Sequence, residues 1–225
     1  MTSACLGARG VDLRVGKPVL RLSCDENGVT VEAAGGDIRA GVAVVAAGAW
    51  APGLLDHVGI PLALTACVTQ VSYFPRLGPG PPLPPLIEAG SGVGMLGAGG
   101  YWVPPAGGQA ELKVSLGAPG PAVDPRDGPF AVDRKLRDRD AAFAARRVHG
   151  FSSEPSRSET CLYTMAPDED FVLDRVGRVV VASCCSGHGF KFVPAVGEIA
   201  ADLALGGNPG FPLDRFSASR AAVSS

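Results

Sequence analysis

Alternating and continuous apolar runs predict β-strands over the first third of the chain. The run from residue 18 is strand-like, and Asn27-Gly28 separates it from a second β-prone run at residues 29–31. Asn-Gly between two such runs predicts a hairpin, because both turn positions must accept a positive φ angle. The continuous apolar run at residues 42–47 predicts a strand that is buried on both faces, as in the core sheet of an α/β protein.

The middle of the chain alternates between regular and irregular segments. Residues 51–55 predict a short helix, and residues 65–74 predict a further strand. Proline and glycine are concentrated at residues 77–108 and predict an interruption of regular structure. Residues 112–116 predict a short strand. Residues 133–148 are charged, with Ala and Phe at helical intervals, and predict a surface helix with a structural role.

The last third of the chain has the pattern of a buried strand, a glycine-containing loop and a helix. Residues 178–182 predict the strand, and residues 193–205 predict the helix. Pro194 suits the first helical turn, and Gly206 suits the C-terminal cap. One apolar face of this helix is formed, at i, i+3, i+4, i+7 and i+8 spacing, by Val196, Ile199, Ala200, Leu203 and Ala204.

Composition and charge exclude several classes of protein. Of the 225 residues, 46% are hydrophobic and 19% are charged, as in a globular protein rather than a disordered one. The formal net charge of −2 gives no electrostatic basis for binding nucleic acid or an anionic membrane. No apolar run reaches the roughly 20 residues that a membrane-spanning helix needs, and the opening residues lack the pattern of a signal peptide. We therefore expect a cytoplasmic protein.

The cysteine and histidine content argues against a metal site and a disulfide framework. The chain has 6 Cys, none of them in C-x-x-C spacing, and 3 His. Cys184 and Cys185 are adjacent, and adjacent residues in a strand point to opposite faces. We therefore expect no bound metal, and reduced thiols in a reducing compartment.

Residues 186–191, between the strand and the helix of the last third, are the candidate binding loop. A loop that leads from a strand into a helix aims free backbone N–H groups at one point, where the helix dipole adds partial positive charge. Glycine permits close approach of this backbone to a flat ligand. Such a site suits a phosphate, a carboxylate, or a carbonyl that gains negative charge during a reaction. The residues alone leave open the alternative that the segment is simply a tight strand-to-helix turn.

Two long blocks of sequence in register resemble the signatures of one family. Residues 186–192 read S-G-H-G-F-K-F and resemble the C-terminal flavin signature of the monomeric sarcosine oxidases and N-methyl amino acid oxidases, which are D-amino acid oxidase-like flavoenzymes. Residues 161–175 contain C-L-Y-T, P-D-E-D-F and D-R and resemble the second signature of that family. Residues 44–50 read V-V-A-A-G-A-W and resemble the strand that closes the family's dinucleotide-binding region. The likeness covers nearly the whole chain and is strongest after Glu159.

The resemblance implies an α/β (α+β) fold in which a partial FAD-binding, Rossmann-like domain accompanies a substrate domain with an antiparallel sheet. Residues 1–58 would be the remainder of the FAD-binding domain, residues 59–158 the substrate domain, and residues 159–225 a return to the FAD-binding domain. The implied activity is FAD-dependent oxidation of the C–N bond of a secondary or N-methyl amino acid, with O2 as acceptor and an imine and hydrogen peroxide as products.

The resemblance also implies roles for individual residues. Cys161 matches a cysteine that forms a thioether to the flavin ring, and a buried structural cysteine is the alternative. Lys113 matches a lysine that promotes reaction with oxygen, although a lysine on an exposed strand edge would have the same pattern.

Two further matches concern the substrate. Lys191, the second catalytic candidate, matches a lysine that helps to bind the substrate carboxylate; a solvent-exposed lysine is the alternative. Tyr101 matches a substrate-pocket tyrosine or is an aromatic core residue. By the same resemblance, the residues that would line the flavin are Gly48, Ala49, Trp50, Ser186, Gly187, His188, Gly189, Phe190 and Lys191.

The chain departs from the family pattern in three places. Gly117 stands where the family usually has a histidine, and Cys184-Cys185 replace its usual Gly-Phe. No G-x-G-x-x-G opens a βαβ unit near the start, where the family holds the ADP half of FAD. The alternative function is therefore a non-catalytic fragment or subunit that needs a partner chain to supply this half. An incomplete Rossmann unit would leave a sheet edge and an apolar face uncovered, which predicts a partner or self-association.

Overall fold

The computed structural model describes residues 10–88, 100–105, 110–117 and 119–220. Within these residues the strands form three sheets. No helix in the same ranges combines the length and the apolarity that crossing a membrane requires.

The first sheet is an antiparallel meander of β1 (Val19–Asp25), β2 (Gly28–Ala33) and β3 (Ile38–Ala40). The Asp25 carboxylate accepts hydrogen bonds from two backbone N–H groups of the turn, at 2.7 and 2.9 Å. These bonds fix the turn and hold the pKa of Asp25 below its usual value. The predicted hairpin is confirmed, and β3 extends it by one short strand.

The second sheet combines strands from both ends of the chain. It consists of β4 (Ala43–Val45), β10 (Val172–Val176) and β11 (Val179–Ser183), in the order β10-β11-β4. Strand β11 pairs in parallel with β4 and antiparallel with β10. The first sheet and helix α1 (Ala51–Asp56) pack on one face, and helix α3 (Val193–Leu205) packs on the other.

Apolar side chains fill the space on both faces of this sheet, which gives a layered core. Alternate residues of β11 point to opposite faces, so that Val181 packs on the side of α1 and Val180 on the side of α3. The fully or largely buried residues of the two cores include Leu22, Val45, Leu55, Val179 and Val181 on the first side and Leu173, Val180, Ile199 and Ala200 on the second.

Strand β4 lies at the edge of its sheet, which corrects the prediction for residues 42–47. We predicted burial on both faces, whereas β4 spans three residues and pairs only with β11 among the described strands. The Val44 side chain is 47% exposed, although its cross-strand partner Val180 is fully buried. The physical reason is that the described residues provide no neighbouring strand on the outer side of β4.

The third sheet contains five antiparallel strands. In spatial order they are β6 (Leu86–Glu88), β7 (Gly100–Val103), β8 (Glu111–Ser115), β5 (Thr65–Pro75) and β9 (Arg157–Met165). Strands β6 and β7 lie in the stretch that was predicted to interrupt regular structure, so that prediction is wrong for their residues. Strand β6 pairs with β7 and β7 pairs with β8, and this pairing stabilises the two strands although the sequence around them is rich in glycine and proline.

Helix α2 (Arg134–Arg147) covers one face of the third sheet, and the surface helix predicted there is confirmed. The helix begins after Asp133, whose carboxylate accepts a hydrogen bond from the backbone N–H of Lys135 at 2.7 Å. Phe143 of the helix packs in one core with Phe74 of β5.

Helix α2 also buries one carboxylate, that of Asp140, which is 2% exposed. The Ser72 hydroxyl donates to this carboxylate at 2.7 Å, and the Ser158 hydroxyl lies 2.9 Å from that of Ser72. Burial raises the pKa of Asp140 to about 6, and hydrogen bonds from Ser72 and the backbone of Leu116 only partly oppose this increase. The helix is thus joined to the sheet by polar contacts as well as by apolar packing.

The architecture agrees with the predicted α/β (α+β) fold class. Helix α3 has the bounds that its apolar periodicity predicts, and Gly206 caps it in the left-handed conformation, with φ at 76°. The domain boundaries at residues 58 and 158 stay predictions. Strand β9 spans the second boundary, so the third sheet extends into the last segment of the chain.

Candidate functional site

Three of the predicted site residues share the face of the third sheet that points away from α2. Lys113 pairs in register with Tyr73, and Tyr101 pairs with Ser115, so their side chains lie on one face. Cys161 of β9 follows the same alternation through β5. We call this surface the polar face; its members include Thr69, Tyr73, Tyr101, Glu111, Lys113, Ser115, Arg157, Glu159, Cys161 and Tyr163.

Tyr101 belongs to a hydroxyl network on the polar face. Its hydroxyl lies beside those of Tyr163 and Ser115, while its neighbour Trp102 lies in the core beneath α2. Burial raises the pKa of Tyr101 well above its usual value, and Tyr163 raises it further. Burial also raises the pKa of Tyr163, which contacts Thr69. Both phenols therefore stay protonated at neutral pH and can donate hydrogen bonds.

The sequence-based reasoning missed Tyr163 as a member of this site. Tyr163 follows Cys161 by two residues in β9, so both side chains point to the polar face. The alternation of side chains along a strand is the signal that could have identified Tyr163. Residues 161–175 resemble a family signature and carry no strand prediction.

The structure excludes the alternatives for two predicted residues. Cys161 is an exposed free thiol and not a buried structural cysteine. Lys113 is half-buried on β8, which has a neighbouring strand on each side, so it does not lie at a sheet edge. The functional roles of both residues stay predictions.

The candidate binding loop, residues 186–191, follows β11 and reaches the end of β9. The backbone N–H of Ser186 donates to the Thr164 carbonyl at 2.9 Å, and the Ser186 hydroxyl accepts from the Ala166 N–H at 3.3 Å. Ser186 and Gly187 both have positive φ angles, 45° and 75°. At this bend the chain turns sharply from β11 towards α3. The hydrogen bonds of Ser186 hold the bend against the end of β9, the strand that carries Cys161.

The tight shape of the loop depends on Gly189. A β-carbon at Gly189 would stand well under 3.0 Å from the Cys184 carbonyl oxygen, closer than real side chains approach. Burial raises the pKa of Cys184 to about 12 and also raises the pKa of Cys185. These two thiols, which replace the usual Gly-Phe of the family, therefore stay protonated and act as small packing residues.

Side chains of the loop are divided between its inner and outer surfaces. The His188 ring stacks on Phe171, with 4.8 Å between the ring centroids, and its Nε2 lies 3.0 Å from the Glu169 carbonyl oxygen. His188 is therefore an anchor for the loop. Lys191 is exposed, and its Nζ donates to the His188 carbonyl at 3.1 Å. The Phe190 ring is 92% exposed.

The segment Gly48–Trp50 forms a 3₁₀ turn that connects β4 to α1 and lies against β9. Ala49 is buried, whereas the Trp50 side chain is 51% exposed. The turn therefore places an open aromatic surface beside the strand that carries Cys161 and Tyr163.

Strand β9 is thus the element at which the predicted site residues meet. The polar face supplies hydroxyls and a cation, and the loop supplies backbone N–H groups at the start of a helical segment, where an anionic or electron-rich ligand edge is stabilised. Exposed aromatic surfaces at Trp50 and Phe190 suit a flat ligand. Lys191 lies on the loop itself and Lys113 on the sheet, so the two lysines approach the site from different elements.

Residues 3–203 match the family described as "FAD dependent oxidoreductase". The monomeric sarcosine oxidase of Streptomyces avermitilis is 34% identical over 96% of this chain and 57% of its own length. The N-methyl-L-tryptophan oxidase of Salmonella heidelberg is 31% identical over 90% of this chain and 54% of its own length. The chain therefore spans a little more than half the length of these relatives.

Solved structures with the same fold are more distant in sequence. NikD, an unusual amino acid oxidase of nikkomycin biosynthesis, superimposes in its open form with a TM-score of 0.81, at 24% identity, over 95% of this chain and 57% of NikD. L-proline dehydrogenase from P. horikoshii gives a TM-score of 0.75, at 20% identity, over 97% of this chain and 57% of that protein. At these identities the likeness shows the fold alone.

Proposed function

Because the chain belongs to the family of FAD dependent oxidoreductases, of the sarcosine and N-methyl amino acid oxidase type, we propose that it forms the flavin-ring and substrate site of an amine oxidase. The proposed substrate is a secondary or N-methylated amino acid, whose C–N bond is oxidised to an imine, with O2 as the acceptor and hydrogen peroxide as the second product. The names of the relatives support this substrate class.

The observation that carries the proposal is that β9 belongs to the polar face and also bonds to the binding loop. Cys161 and Tyr163 lie on the polar face with Tyr101 and Lys113. The far end of the same strand bonds to Ser186 of the binding loop. A substrate held against the polar face would therefore also lie beside a ligand bound at the loop.

The residues present fit the flavin-ring half of FAD. The absence of a side chain at Gly189 lets the loop fold tightly against Cys184, and Cys161 offers an exposed thiol on the adjoining strand. We propose that Cys161 forms a thioether to the ring and that Gly48–Trp50 and residues 186–191 border it. No G-x-G-x-x-G turn opens the chain to hold the ADP half.

When bound, FAD would accept the hydride that leaves the substrate and pass the electrons to oxygen. The remaining roles belong to side chains and backbone groups of this protein. The loop N–H groups would stabilise negative charge at the ring edge, by the logic of an oxyanion hole. The Lys191 ammonium would bind the substrate carboxylate, and the Tyr101 hydroxyl, which is held protonated, would orient the substrate by a hydrogen bond. The Lys113 cation would stabilise negative charge that develops on oxygen.

The test is a visible absorption spectrum of the purified chain, before and after acid precipitation. Absorption near the flavin bands that stays with the acid pellet supports a thioether at Cys161. Flavin that is released into the supernatant supports binding but contradicts the thioether. A chain that stays colourless after incubation with FAD contradicts independent flavin binding and leaves the second candidate function.

The second candidate is a subunit or fragment whose ADP-binding half comes from another polypeptide segment. The exposed edge of β4, with Val44 open to solvent, favours it, because such an edge is a template for a further strand. A colourless chain that acquires flavin only when co-expressed with the N-terminal half of a relative would support this reading. Flavin binding by the chain alone would contradict it.

Five described cysteines are free, which supports a reducing cytoplasmic location for either function.

A further inference from the structure

Glu111 lies close to Lys113 and yet does not pair with it. The two residues are on the same strand, β8, two positions apart, so their side chains start on the same face. The Glu111 carboxylate instead points across the sheet, where it accepts from the Ser156 hydroxyl and from Arg157 Nε, the latter at 3.2 Å. Within the part of the chain that the structure describes, Lys113 has no ion pair.

Arg157 also binds a second carboxylate on the polar face. Glu159 forms an ion pair with the same guanidinium and accepts a hydrogen bond from the Tyr73 hydroxyl at 3.1 Å. The guanidinium of Arg157 lies 3.5 Å from the centroid of the Tyr73 ring. Tyr73 is the residue that stands in register between Lys113 and Arg157. One arginine therefore binds both carboxylates, and its guanidinium stacks on the tyrosine that stands between it and the lysine in the sheet register.

We propose that Arg157 is a positioning residue that keeps Lys113 unpaired by engaging both Glu111 and Glu159. The role of the unpaired Lys113 ammonium towards oxygen or substrate rests on the proposed function. The absence of a carboxylate partner for this ammonium does not. Without Arg157, Glu111 would be an uncompensated carboxylate two residues from an ammonium on the same face of β8, and its side chain could turn to pair with Lys113. A cation already bound to a carboxylate is a poorer partner for a developing negative charge, because its charge is neutralised.

The arrangement also explains why an arginine suits this position. A planar guanidinium presents five N–H donors in a fixed fork, so it can bind two carboxylates at once and still stack on an aromatic ring. A lysine at residue 157 could satisfy one carboxylate at a time. The ring of Tyr73 fixes the plane of the guanidinium, and its hydroxyl helps to fix Glu159.

The experiment measures how fast Lys113 is acetylated, in the 225-residue chain without added flavin. The chain has four lysines, and Lys17 and Lys135 serve as internal references in the same digest. Mass spectrometry then gives the acetylation rate of Lys113 relative to these two. Pairing with a carboxylate favours the protonated ammonium, which does not react, so a lower relative rate reports pairing.

In Arg157→Gln we expect the relative rate at Lys113 to fall about threefold or more, because Glu111 is released. The double variant Arg157→Gln/Glu111→Gln should return the rate to within twofold of wild type. Arg157→Lys should give an intermediate value. The matched control is Arg137→Gln, which breaks an exposed ion pair with Glu154 on another part of the surface and should leave Lys113 unchanged.

An unchanged Lys113 rate in Arg157→Gln, in a chain with wild-type circular dichroism, would overturn the proposal. A reduced rate that Glu111→Gln does not restore would overturn it as well, since the loss would then come from the fold. If Arg157→Gln does not fold, Arg157→Lys carries the test: a Lys113 rate equal to that of wild type would overturn the proposal. None of these readouts uses flavin, so the proposed oxidase activity can fail while this inference stands, and the reverse.

Discussion

The backbone of Gly189 lies against the carbonyl group of Cys184, with no space between them for a β-carbon. This contact closes the loop between β11 and α3 into a compact bend. The same bend is bonded to Thr164 and Ala166 through Ser186. A change at Gly189 should therefore disturb the candidate flavin site directly.

Gly189→Ala is expected to lower the free energy of unfolding by roughly 2 kcal/mol or more and to abolish flavin binding, because the added carbon forces the loop open. The matched control is Gly197→Ala, in the interior of α3, where an added β-carbon has no atom within 4 Å. That control should stabilise the chain by about 0.5–1 kcal/mol, since alanine has the higher helix propensity. Thermal unfolding and flavin absorbance measure both effects. Equal stability of the two variants would contradict the account of the loop.

Cys161→Ser is expected to remove any acid-stable flavin while leaving the fold intact, because the thiol is exposed and serine is of similar size. Cys24→Ser, which changes another exposed thiol, is the control and should retain the bound flavin. Flavin fluorescence of the denatured protein band on a gel distinguishes the two. Retention of fluorescent flavin in Cys161→Ser would place the linkage elsewhere.

Asp140 predicts a dependence of stability on pH. Its pKa in the folded chain is about 6, above the usual 3.8, so between these values the native state binds more protons than the unfolded chain. Stability from this group is therefore present at low pH and is lost as the pH rises through 6. From pH 5 to pH 7.5 the loss should be about 1 kcal/mol.

Asp140→Asn removes this titration but keeps an oxygen that can accept from Ser72. The free energy of unfolding of the variant, relative to wild type, should rise by about 1 kcal/mol between pH 5 and pH 7.5. Asp138→Asn, at an exposed position of the same helix, should show no such trend. Urea titrations at the two pH values measure the difference, and parallel pH profiles of Asp140→Asn and wild type would refute the prediction.

The two valines that pair between β4 and β11 should respond very differently to substitution. Val44→Lys is expected to change the free energy of unfolding by less than about 0.5 kcal/mol, because its side chain is half in solvent. Val180→Ala should cost about 2 kcal/mol, because Val180 is fully buried in the core beneath α3. Assembly with the N-terminal half of a relative can be measured for the same variant. If Val44→Lys blocks this assembly, the open edge of β4 is where that half binds.

Local signals in the sequence were sufficient for the elements that carry them strongly. Helix α3 combines an apolar period with a proline at its start and a glycine cap, and its bounds were predicted correctly. The hairpin of β1 and β2 was predicted from Asn27-Gly28, although in the structure Gly28 begins β2 and neither residue has the positive φ angle that was expected. The loop of residues 186–191 and the thiol of Cys161 were found from the family resemblance, and their roles stay predictions.

Features that depend on neighbours were not predictable in this way. Strand β7 pairs with β8 and β6 pairs with β7, whereas the prolines and glycines around these two strands gave the opposite indication. Val44 has the sequence pattern of a buried strand, but only pairing partners decide whether a strand is central or at an edge. Tyr163 and Arg157 lie on the polar face because side chains alternate between the two faces along β9. Their face can be assigned only when the register of β9 with β5 is known.

Strand β9 carries Cys161 and Tyr163 at one point and holds Ser186 of the loop a few residues later. The polar face and the candidate binding loop are therefore joined along one continuous backbone segment. Separating the loop from β9 would break the hydrogen bonds that Ser186 makes with Thr164 and Ala166. The separation between the Cys161 thiol and the candidate binding loop is therefore set by the fold of β9 itself.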